Sequence, residues 1–278
     1  MTNPRLPDKT HIDSAYLRVV EIDDALAFYR DTLGFTVVEQ DETHAALAPS
    51  PDEPPILRLI EHPGAQRKPQ RSTGLYHVAI LMPDRPALGR MLRHLIVSKY
   101  PLQGASDHLV SEALYLADPD GNGLEIYRDR PRAEWRMNGS QVAMASEALD
   151  AEGLLEAAQD QDAGVVPGTT IGHMHLHVAD LDRAEAFYSG KLGFDVVQRD
   201  YPGARFVSAG GYHHHLGLNT WAGKTPPPAN AVGLESWTLT IPGASEWAQA
   251  VERTGATVEG TTASVSDPEG NLLLLKQG

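Results

Sequence analysis

The chain repeats its own sequence, and this constrains its fold more than any other feature. The segment 23–35 contains the motifs DDALAFY and LGF, and the segment 182–194 contains DRAEAFY and LGF. A turn motif, DPDGN at 118–122, likewise returns as DPEGN at 267–271. Repeats of this kind indicate one supersecondary unit that is used several times. We interpret the pattern as four copies of one unit, two in each half of the chain.

The order of elements within a copy predicts the fold class. The first copy contains an alternating strand at 15–20, a helix from 23 to about 33, and short strands at 36–39, 45–48 and 56–61. Each helix can cover only one face of its small sheet, so strand residues of one parity face the helix and the others face away from it. We therefore predict an α+β protein of four βαβββ modules in two halves, which form cup-shaped mixed sheets with helices outside.

The modules divide the chain into three segments. The N-terminal half at 10–130 and the C-terminal half at 171–278 are each expected to hold two βαβββ modules. The segment 131–170 is expected to be a linker, with a short acidic helix at 146–158 followed by a polar, Gly-rich stretch.

Composition and charge exclude several classes of protein. The chain has 278 residues, a net charge of −14 and no cysteine. Because it has no run of Lys and Arg, it is not expected to bind nucleic acid or an anionic membrane. Without cysteine, any metal must be held by His and carboxylate. No apolar run reaches membrane-spanning length, and residues 1–7 lack the apolar core of a signal peptide, so a cytoplasmic location is expected.

One strand carries three histidines on a single face. In the segment 173–178 the apolar residues share the parity that suits the helix face, whereas His173, His175 and His177 have the parity that points into the cup. This arrangement makes the strand a candidate for a metal site. The alternative is a solvated strand face, or histidines whose nitrogens are satisfied by their neighbours.

His77 and Glu125 lie on the first and last strands of the second copy, and both should face the cup. A buried carboxylate such as Glu125, which lies between two apolar residues, is costly unless it is paired or bound to a cation. Taken alone, His77 could be a structural core histidine and Glu125 a solubility residue on an edge strand. Together with His173 they predict two neutral imidazoles and one carboxylate, the ligand set that suits non-haem Fe(II). Mn(II) would suit the same ligands, and Zn(II) could occupy them.

The run from His213 to Asn219 is predicted to form the last strand of the third copy. In that register His213, His215 and Asn219 face the cup, and His214 points away. A histidine that lies beside a metal without binding it is suited to move protons near neutral pH. The alternative is a polar surface strand.

These motifs resemble a known superfamily. The pattern HxxLxVxDL at 173–181, with the FY and LGF motifs that follow it, is similar to the vicinal oxygen chelate superfamily. The runs at 105–127 and 213–219 resemble the type I extradiol ring-cleavage group, and the bacillus-type catechol 2,3-dioxygenases in particular. The resemblance covers about residues 12–276. It implies four βαβββ modules and a metal site with one His on each of two opening strands and a Glu on a closing strand.

The sequence departs from the best-known extradiol enzymes, in which all three ligands lie in the C-terminal half. In the C-terminal half of this chain, Ser236 (or Trp237, if the register slips) and Leu274 stand at two ligand positions. In the N-terminal half, Ser14 stands at the first His position. A full set of three metal ligands is expected only if copy two pairs with copy three, either within one chain or across a dimer. Copies one and four would then form a second cup without ligands.

The resemblance also implies roles for residues around the metal. Tyr115, ten positions before Glu125, matches a tyrosine that hydrogen-bonds a substrate oxygen, and His215 matches an acid–base histidine. His108 falls in a loop that often holds a further substrate-contacting histidine, although a solvent-exposed turn residue is the alternative. The residues expected to line the substrate side of the cup are His175, His213 and Asn219.

The ligand set and the resemblance together predict an Fe(II)-dependent extradiol dioxygenase acting on a small catechol-like substrate with dioxygen. The same scaffold hosts other functions. One alternative is therefore a metal-dependent isomerase or lyase that consumes no oxygen, and another is a metal-free, drug-sequestering binding protein. A homodimer is expected, since closed symmetric dimers are common.

Overall fold

The computed structural model describes residues 4–139 and 141–278, and its elements repeat with the period of the sequence motifs. Module one contains β1 (His11–Val19), α1 (Ile22–Leu26), a π-helix that continues it (Ala27–Thr32), β2 (Thr36–Gln40), β3 (His44–Ala48) and β4 (Leu57–Glu61). Module two contains β5 (Gly74–Leu81), α2 (Arg85–Val97), β6 (Gly104–Asp107), β7 (Ser111–Ala117) and β8 (Gly123–Asp129).

A connector and two further modules complete the chain. The connector contains a 3₁₀ turn (Arg132–Glu134), a hairpin of β9 (Met137–Asn138) and β10 (Gln141–Val142), and α3 (Ala151–Ala157). Module three contains β11 (Thr170–His177), α4 (Leu181–Glu185), a second π-helix (Ala186–Leu192), β12 (Asp195–Gln198), β13 (Ala204–Ser208) and β14 (Leu216–Asn219). Module four contains β15 (Gly233–Ile241), α5 (Ala244–Thr254), β16 (Thr257–Glu259), β17 (Thr262–Ser266) and β18 (Leu272–Gln277).

Both large sheets take strands from both halves of the chain. One eight-stranded sheet has the order β16-β17-β18-β15-β1-β4-β3-β2, and the other has the order β12-β13-β14-β11-β5-β8-β7-β6. At their centres the opening strands pair antiparallel, β1 with β15 and β5 with β11. Module one therefore pairs with module four, and module two with module three. The predicted α+β class, with four βαβββ modules in two curled sheets, is confirmed.

Apolar side chains of one strand parity pack beneath the helices. On β5, Val78 and Ile80 are fully buried in a core that also contains Leu88 and Leu92 of α2. The helix α2 begins where the carboxylate of Asp84 accepts a hydrogen bond from the backbone of its first turn. The side chains at the alternate positions of each strand are therefore free to face the cup. No helix in residues 4–139 and 141–278 is long and apolar enough to cross a membrane.

Two local features differ from the sequence prediction. The helix predicted at 23–33 begins at Ile22 and changes to a π-helix at Ala27, and the same change occurs in module three. The predicted linker helix at 146–158 is shorter, Ala151–Ala157, and the hairpin that precedes it was not predicted. Strands as short as two residues contain too few positions to show a periodic pattern.

The two repeated sequence motifs meet in a buried hydrogen bond, which explains why they recur together. Tyr29 of the first AFY motif donates its hydroxyl hydrogen to Oδ2 of Asp118 in the DPDGN turn, at 3.0 Å. In the C-terminal half, Tyr188 donates to Oδ2 of Asp267 at 2.7 Å. Burial and the neighbouring carboxylate raise the pKa of Tyr29 well above its usual value, so its hydroxyl remains a donor. Because Tyr29 belongs to module one and Asp118 to module two, the bond ties the two sheets together.

Replacing Tyr29 with Phe should lower the free energy of unfolding by about 1–3 kcal/mol, because Asp118 loses a hydrogen-bond donor in a buried environment. Chemical denaturation followed by tryptophan fluorescence measures this change. Tyr16→Phe is the matched control, since Tyr16 is only half-buried and is contacted through its ring by Arg58. An equal loss in both variants would contradict the role of the Tyr29–Asp118 bond.

Candidate metal centre and active site

The pairing of β5 with β11 brings histidines of modules two and three together. In this antiparallel pair His175 lies opposite His77, and His173 lies opposite Ala79. On the other side of β5, the parallel strand β8 places Glu125 beside Ala79. The small side chain of Ala79 leaves space between Glu125 and His173 on the cup face.

His77, Glu125 and His173 meet in a buried cluster. Oε2 of Glu125 lies 2.9 Å from Nε2 of His77 and 3.1 Å from Nε2 of His173, and the side chains are at most 4% exposed. One candidate ligand atom from each residue lies within 4.8 Å of the others. A single ion with metal–ligand bonds of about 2.0–2.2 Å could contact all three atoms after small rotations of the side chains.

The protonation states in this cluster suit a metal. Burial raises the pKa of Glu125, but the two imidazoles outweigh it and hold that pKa well below its usual value. Burial lowers the pKa of His173 to about 4, against the opposing influence of Glu125. Near neutral pH, Glu125 is therefore a carboxylate and His173 a neutral imidazole, the forms that bind metal ions.

Two nitrogens of the cluster are buried without a hydrogen bond in the described part of the chain, Nε2 of His77 and Nδ1 of His173. Nε2 of His77 is close to Glu125 but does not have hydrogen-bond geometry toward it. A buried polar atom without a partner costs free energy, and a cation at Nε2 would remove that cost. Two imidazoles and one carboxylate without thiolate fit a divalent transition metal.

The other sheet contains the same positions without ligands. Ser14 and Ser236, on the central pair β1–β15, correspond in register to the two ligand histidines, and Leu274 on β18 corresponds to the glutamate. Two serines and a leucine offer no imidazole or carboxylate to a transition metal. The pairing of copies one and four in a second sheet, which the sequence predicted, is confirmed.

A cavity of about 330 Å³ lies beside the three clustered side chains. Polar groups on its surface include those of His108, Tyr115, His175 and His214. The connector closes one side through the segment 144–146. A group of apolar and aromatic side chains, here called the apolar wall, consists of Val110, Met144, Tyr201, Phe206 and Trp221.

The three histidines at 213–215 do not form the predicted strand. Because β14 begins at Leu216, they lie in the loop before it, and strand alternation does not govern where they point. It is His214 that lines the cavity, with its ring centroid 4.0 Å from that of His173. The prediction that His214 points away from the cup was therefore wrong.

His213 and His215, predicted to face the cup, are absent from the cavity lining given by the described residues. Nδ1 of His215 accepts a hydrogen bond from the backbone nitrogen of Ala209 at 3.2 Å, and its ring stacks on Phe194. His213 is completely buried and lies 2.8 Å from a carboxylate oxygen of Asp129. The loop turns both rings into the protein, which corrects the prediction that they line the substrate side of the cup.

Asn219 lies behind the cavity and holds His175, which corrects the prediction that it contacts substrate. Its Nδ2 donates to Nε2 of His175 at 3.0 Å, and its Oδ1 accepts from Nδ1 of His177 at 2.6 Å. Gly217 leaves the space for the His175 ring, because a Cβ there would lie 2.7 Å from Cδ2 of His175. His175 itself lines the cavity, as its predicted role requires.

Tyr115 and His108 form a hydrogen-bonded pair at the cavity. The Tyr115 hydroxyl lies 2.6 Å from Nε2 of His108, and Nδ1 of His108 lies 2.6 Å from the carbonyl oxygen of Ala145. Since a carbonyl can only accept, a neutral His108 carries its hydrogen on Nδ1, and Tyr115 donates to Nε2. Burial and the charge of Glu125 raise the pKa of Tyr115 well above its usual value, so it remains a phenol.

The apolar wall was not predicted from the sequence. Its residues come from the loop before β7, the connector and module three, and no regular spacing joins them. Aromatic residues at 201, 206 and 221 do flank the histidine run, and this enrichment is a signal that could have identified part of the wall.

Comparisons with known proteins agree with this architecture. The family described as the glyoxalase/bleomycin resistance protein/dioxygenase superfamily matches residues 11–126 and 170–275. A Bacillus subtilis (strain 168) protein named catechol-2,3-dioxygenase is 47% identical over 273 residues, which cover 94% of this chain and 95% of that protein. A solved structure of a putative dioxygenase from Bacillus subtilis has a TM-score of 0.66 at 15% identity, over 96% of this chain and 84% of that one. Glyoxalase I from Zea mays has a TM-score of 0.58 at 16% identity, over 97% and 92%. At these identities the two structures show a shared fold.

Replacing any one of His77, Glu125 or His173 with Ala should weaken Fe(II) binding by more than about 100-fold, because even groups that only orient metal ligands contribute 10- to 100-fold. Elemental analysis after anaerobic loading and gel filtration measures the bound metal. His44→Ala is the control, since His44 is exposed and lies at the other sheet. A wild-type protein that retains no metal, or a His44 variant that loses as much, would contradict the assignment.

Proposed function

The chain belongs to the glyoxalase/bleomycin resistance protein/dioxygenase superfamily, and from this premise we propose that it is a metal-dependent extradiol dioxygenase that cleaves the ring of a catechol-like substrate. The observation that carries the proposal is the buried cluster of His77, Glu125 and His173 beside a cavity. The prediction that the chain is an enzyme, an oxidoreductase of the dioxygenase type, is confirmed by the relative that spans nearly its whole length.

Fe(II) is the metal that we propose, with Mn(II) as the alternative. His77, Glu125 and His173 would hold it, because two imidazoles and a carboxylate are a ligand set that suits Fe(II). When bound, the metal would supply the site at which two adjacent ring oxygens and dioxygen bind. The remaining roles belong to side chains of the cavity.

Tyr115 and His108 are proposed to orient the substrate. Because Tyr115 donates its own hydrogen to His108, the free lone pairs of its oxygen can accept a hydrogen bond from a ring hydroxyl. Glu125 lies opposite Tyr115 on the neighbouring strand, so this contact would be made next to the metal. His175, held from behind by Asn219, presents a further polar edge to the cavity.

His214 is proposed as the acid–base residue, in place of His215. It lines the cavity and contacts the ring of His173. Burial lowers the pKa of His214 well below its usual value, so the ring is neutral near neutral pH and one of its nitrogens carries an available lone pair. Its position suits the transfer of the proton that a ring hydroxyl must lose as it binds a cation.

The charge of the cavity favours a substrate with an uncharged, apolar substituent. No Lys or Arg is among the described residues that line it, and the apolar wall covers one side. Lys68 lies outside the lining, with its ammonium group bound to the carbonyl oxygen of Ser72 at 3.1 Å. A carboxylate on the substrate would therefore be buried without a counter-charge, which is costly.

The remaining expectations concern assembly and location. Because β5 and β11 pair within one chain, the proposed site does not require a second subunit. A homodimer and a cytoplasmic location stay predictions.

The protein loaded with Fe(II) without oxygen should turn catechol into a yellow ring-cleavage product when air is admitted, with oxygen uptake equal to the product formed. His214→Ala should keep its metal but lower kcat by about 100- to 10,000-fold, the usual range for the loss of an acid–base residue. The matched control is His215→Gln, in which a buried histidine outside the cavity is replaced and kcat should change less than tenfold. Product formation without oxygen uptake would indicate an isomerase or lyase and contradict the proposal.

Catechols with an alkyl or phenyl substituent should have kcat/KM values about 10- to 100-fold higher than catechols with a carboxylate arm, because desolvating an unpaired charge costs a few kcal/mol. Steady-state oxygen uptake measures the ratio. Met144→Arg should reduce this preference by providing a counter-charge within the apolar wall. A preference for the carboxylates that disappears in Lys68→Ala would instead show that Lys68 reaches the substrate.

A further inference from the structure

A chain of three side chains leads from the cavity to the end of β8. His214 lines the cavity, and its Nδ1 lies 2.7 Å from Nδ1 of His213. On the far side of that ring, Nε2 of His213 lies 2.8 Å from Oδ1 of Asp129. Both distances are those of short hydrogen bonds.

The chemistry of the three groups fixes which of them donates. The carboxylate of Asp129 can only accept, so Nε2 of His213 carries a hydrogen and donates it. In a neutral His213, Nδ1 is then a bare lone pair, and it can only accept from Nδ1 of His214. His214 must therefore carry its hydrogen on Nδ1, which leaves the lone pair of its Nε2 free. In residues 4–139 and 141–278, that Nε2 has no hydrogen-bond partner.

Packing holds the middle ring of this chain in place. His213 is completely buried, with its ring centroid 4.1 Å from that of Tyr212 and 5.3 Å from that of Trp135. The hydroxyl of Tyr212 donates to the same oxygen of Asp129 at 3.1 Å. Two donors thus converge on one carboxylate oxygen, which keeps Asp129 an acceptor toward His213.

We propose that Asp129 and His213 are positioning residues, which hold His214 in the tautomer that presents a free Nε2 to the substrate. The inference rests on the proposed function, because it assigns a purpose to His214 as a base. When a ring hydroxyl is deprotonated, its O–H bond breaks, an Nε2–H bond forms on His214, and the electron pair stays on the ring oxygen. The positive charge on the imidazolium is then stabilised through His213 by the negative charge of Asp129. A carboxylate that orients an imidazole from behind is a recurring arrangement for a histidine base.

The position of Asp129 on β8 supports this assignment. Glu125 and Asp129 lie on the same strand, four residues apart, so they have the same parity. The strand β8 therefore supplies both Glu125, the carboxylate of the metal cluster, and Asp129, the carboxylate that bonds His213. The side chain of Asp129 is 27% exposed, whereas Glu125 is buried.

Replacing Asp129 with Asn tests the proposal with little change of shape. The amide can donate to His213 and reverse the direction of both hydrogen bonds, so that the free lone pair of His214 is lost. We expect kcat to fall by about 100-fold or more, as when an orienting carboxylate is removed from other histidine bases, with bound Fe(II) and the KM for catechol unchanged. Asp129→Glu should restore part of kcat, since a carboxylate remains. In the control Asp13→Asn, which makes the same change at a partly exposed aspartate of the other sheet, kcat should change less than tenfold.

A measurement on the wild-type protein avoids any effect of the variants on folding. In the Zn(II)-loaded, ¹⁵N-histidine-labelled protein, NMR correlations between ring nitrogens and ring protons distinguish the two neutral tautomers. We expect His213 with hydrogen on Nε2 and His214 with hydrogen on Nδ1. Hydrogen on Nε2 of His214, or an Asp129→Asn variant with unchanged kcat, would overturn the inference.

The failure of this inference is distinguishable from failure of the proposed function. If His214→Ala loses ring cleavage while Asp129→Asn retains it, His214 acts without help from Asp129 and His213. If the wild-type protein takes up no oxygen with any catechol, the proposed function fails, and the tautomer measured by NMR still reports whether the hydrogen-bond chain exists.

Discussion

The antiparallel pairing of β5 with β11 is the constraint on which the rest of the structure depends. Its register determines that His77 and His173 face the same side of one sheet. The parallel pairing of β8 with β5 then places Glu125 within reach of both. A slip of one residue in this pairing would turn His173 to the face opposite His77. Irregularities between Ile171 and His173, and after His175, adjust where these histidines point.

The fold itself does not require the metal cluster. The second sheet has the same strand order and the same central pairing, yet it carries Ser14, Ser236 and Leu274 where the first site carries its ligand candidates. Both cups are stabilised by buried apolar faces and by the repeated tyrosine–aspartate bonds. The chemistry therefore depends on a few side chains that one of two equivalent scaffolds presents, which is a general property of widely used folds.

The sequence predicted the parts of the structure that follow from periodicity and repetition. The repeated motifs predicted four modules, and strand parity placed His77, Glu125 and His173 on a common face. The position of His214 could not be predicted in this way, because residues 213–215 lie in a loop where alternation does not apply. The roles of Asn219 and of the apolar wall likewise depend on contacts between segments that are distant in sequence. Such contacts arise from tertiary packing and leave no local pattern.

The central claim is that side chains from both halves of one chain hold a single metal ion. Electron spin-echo spectroscopy of the Mn(II)-loaded protein tests it directly, because the coupling of the metal to directly bound imidazole nitrogens can be counted. The account predicts two coupled imidazoles in the wild-type protein and, at Mn(II) concentrations high enough to load the weakened variants, one in His77→Ala and one in His173→Ala. Two coupled imidazoles that persist in either variant, or none in the wild-type protein, would contradict it.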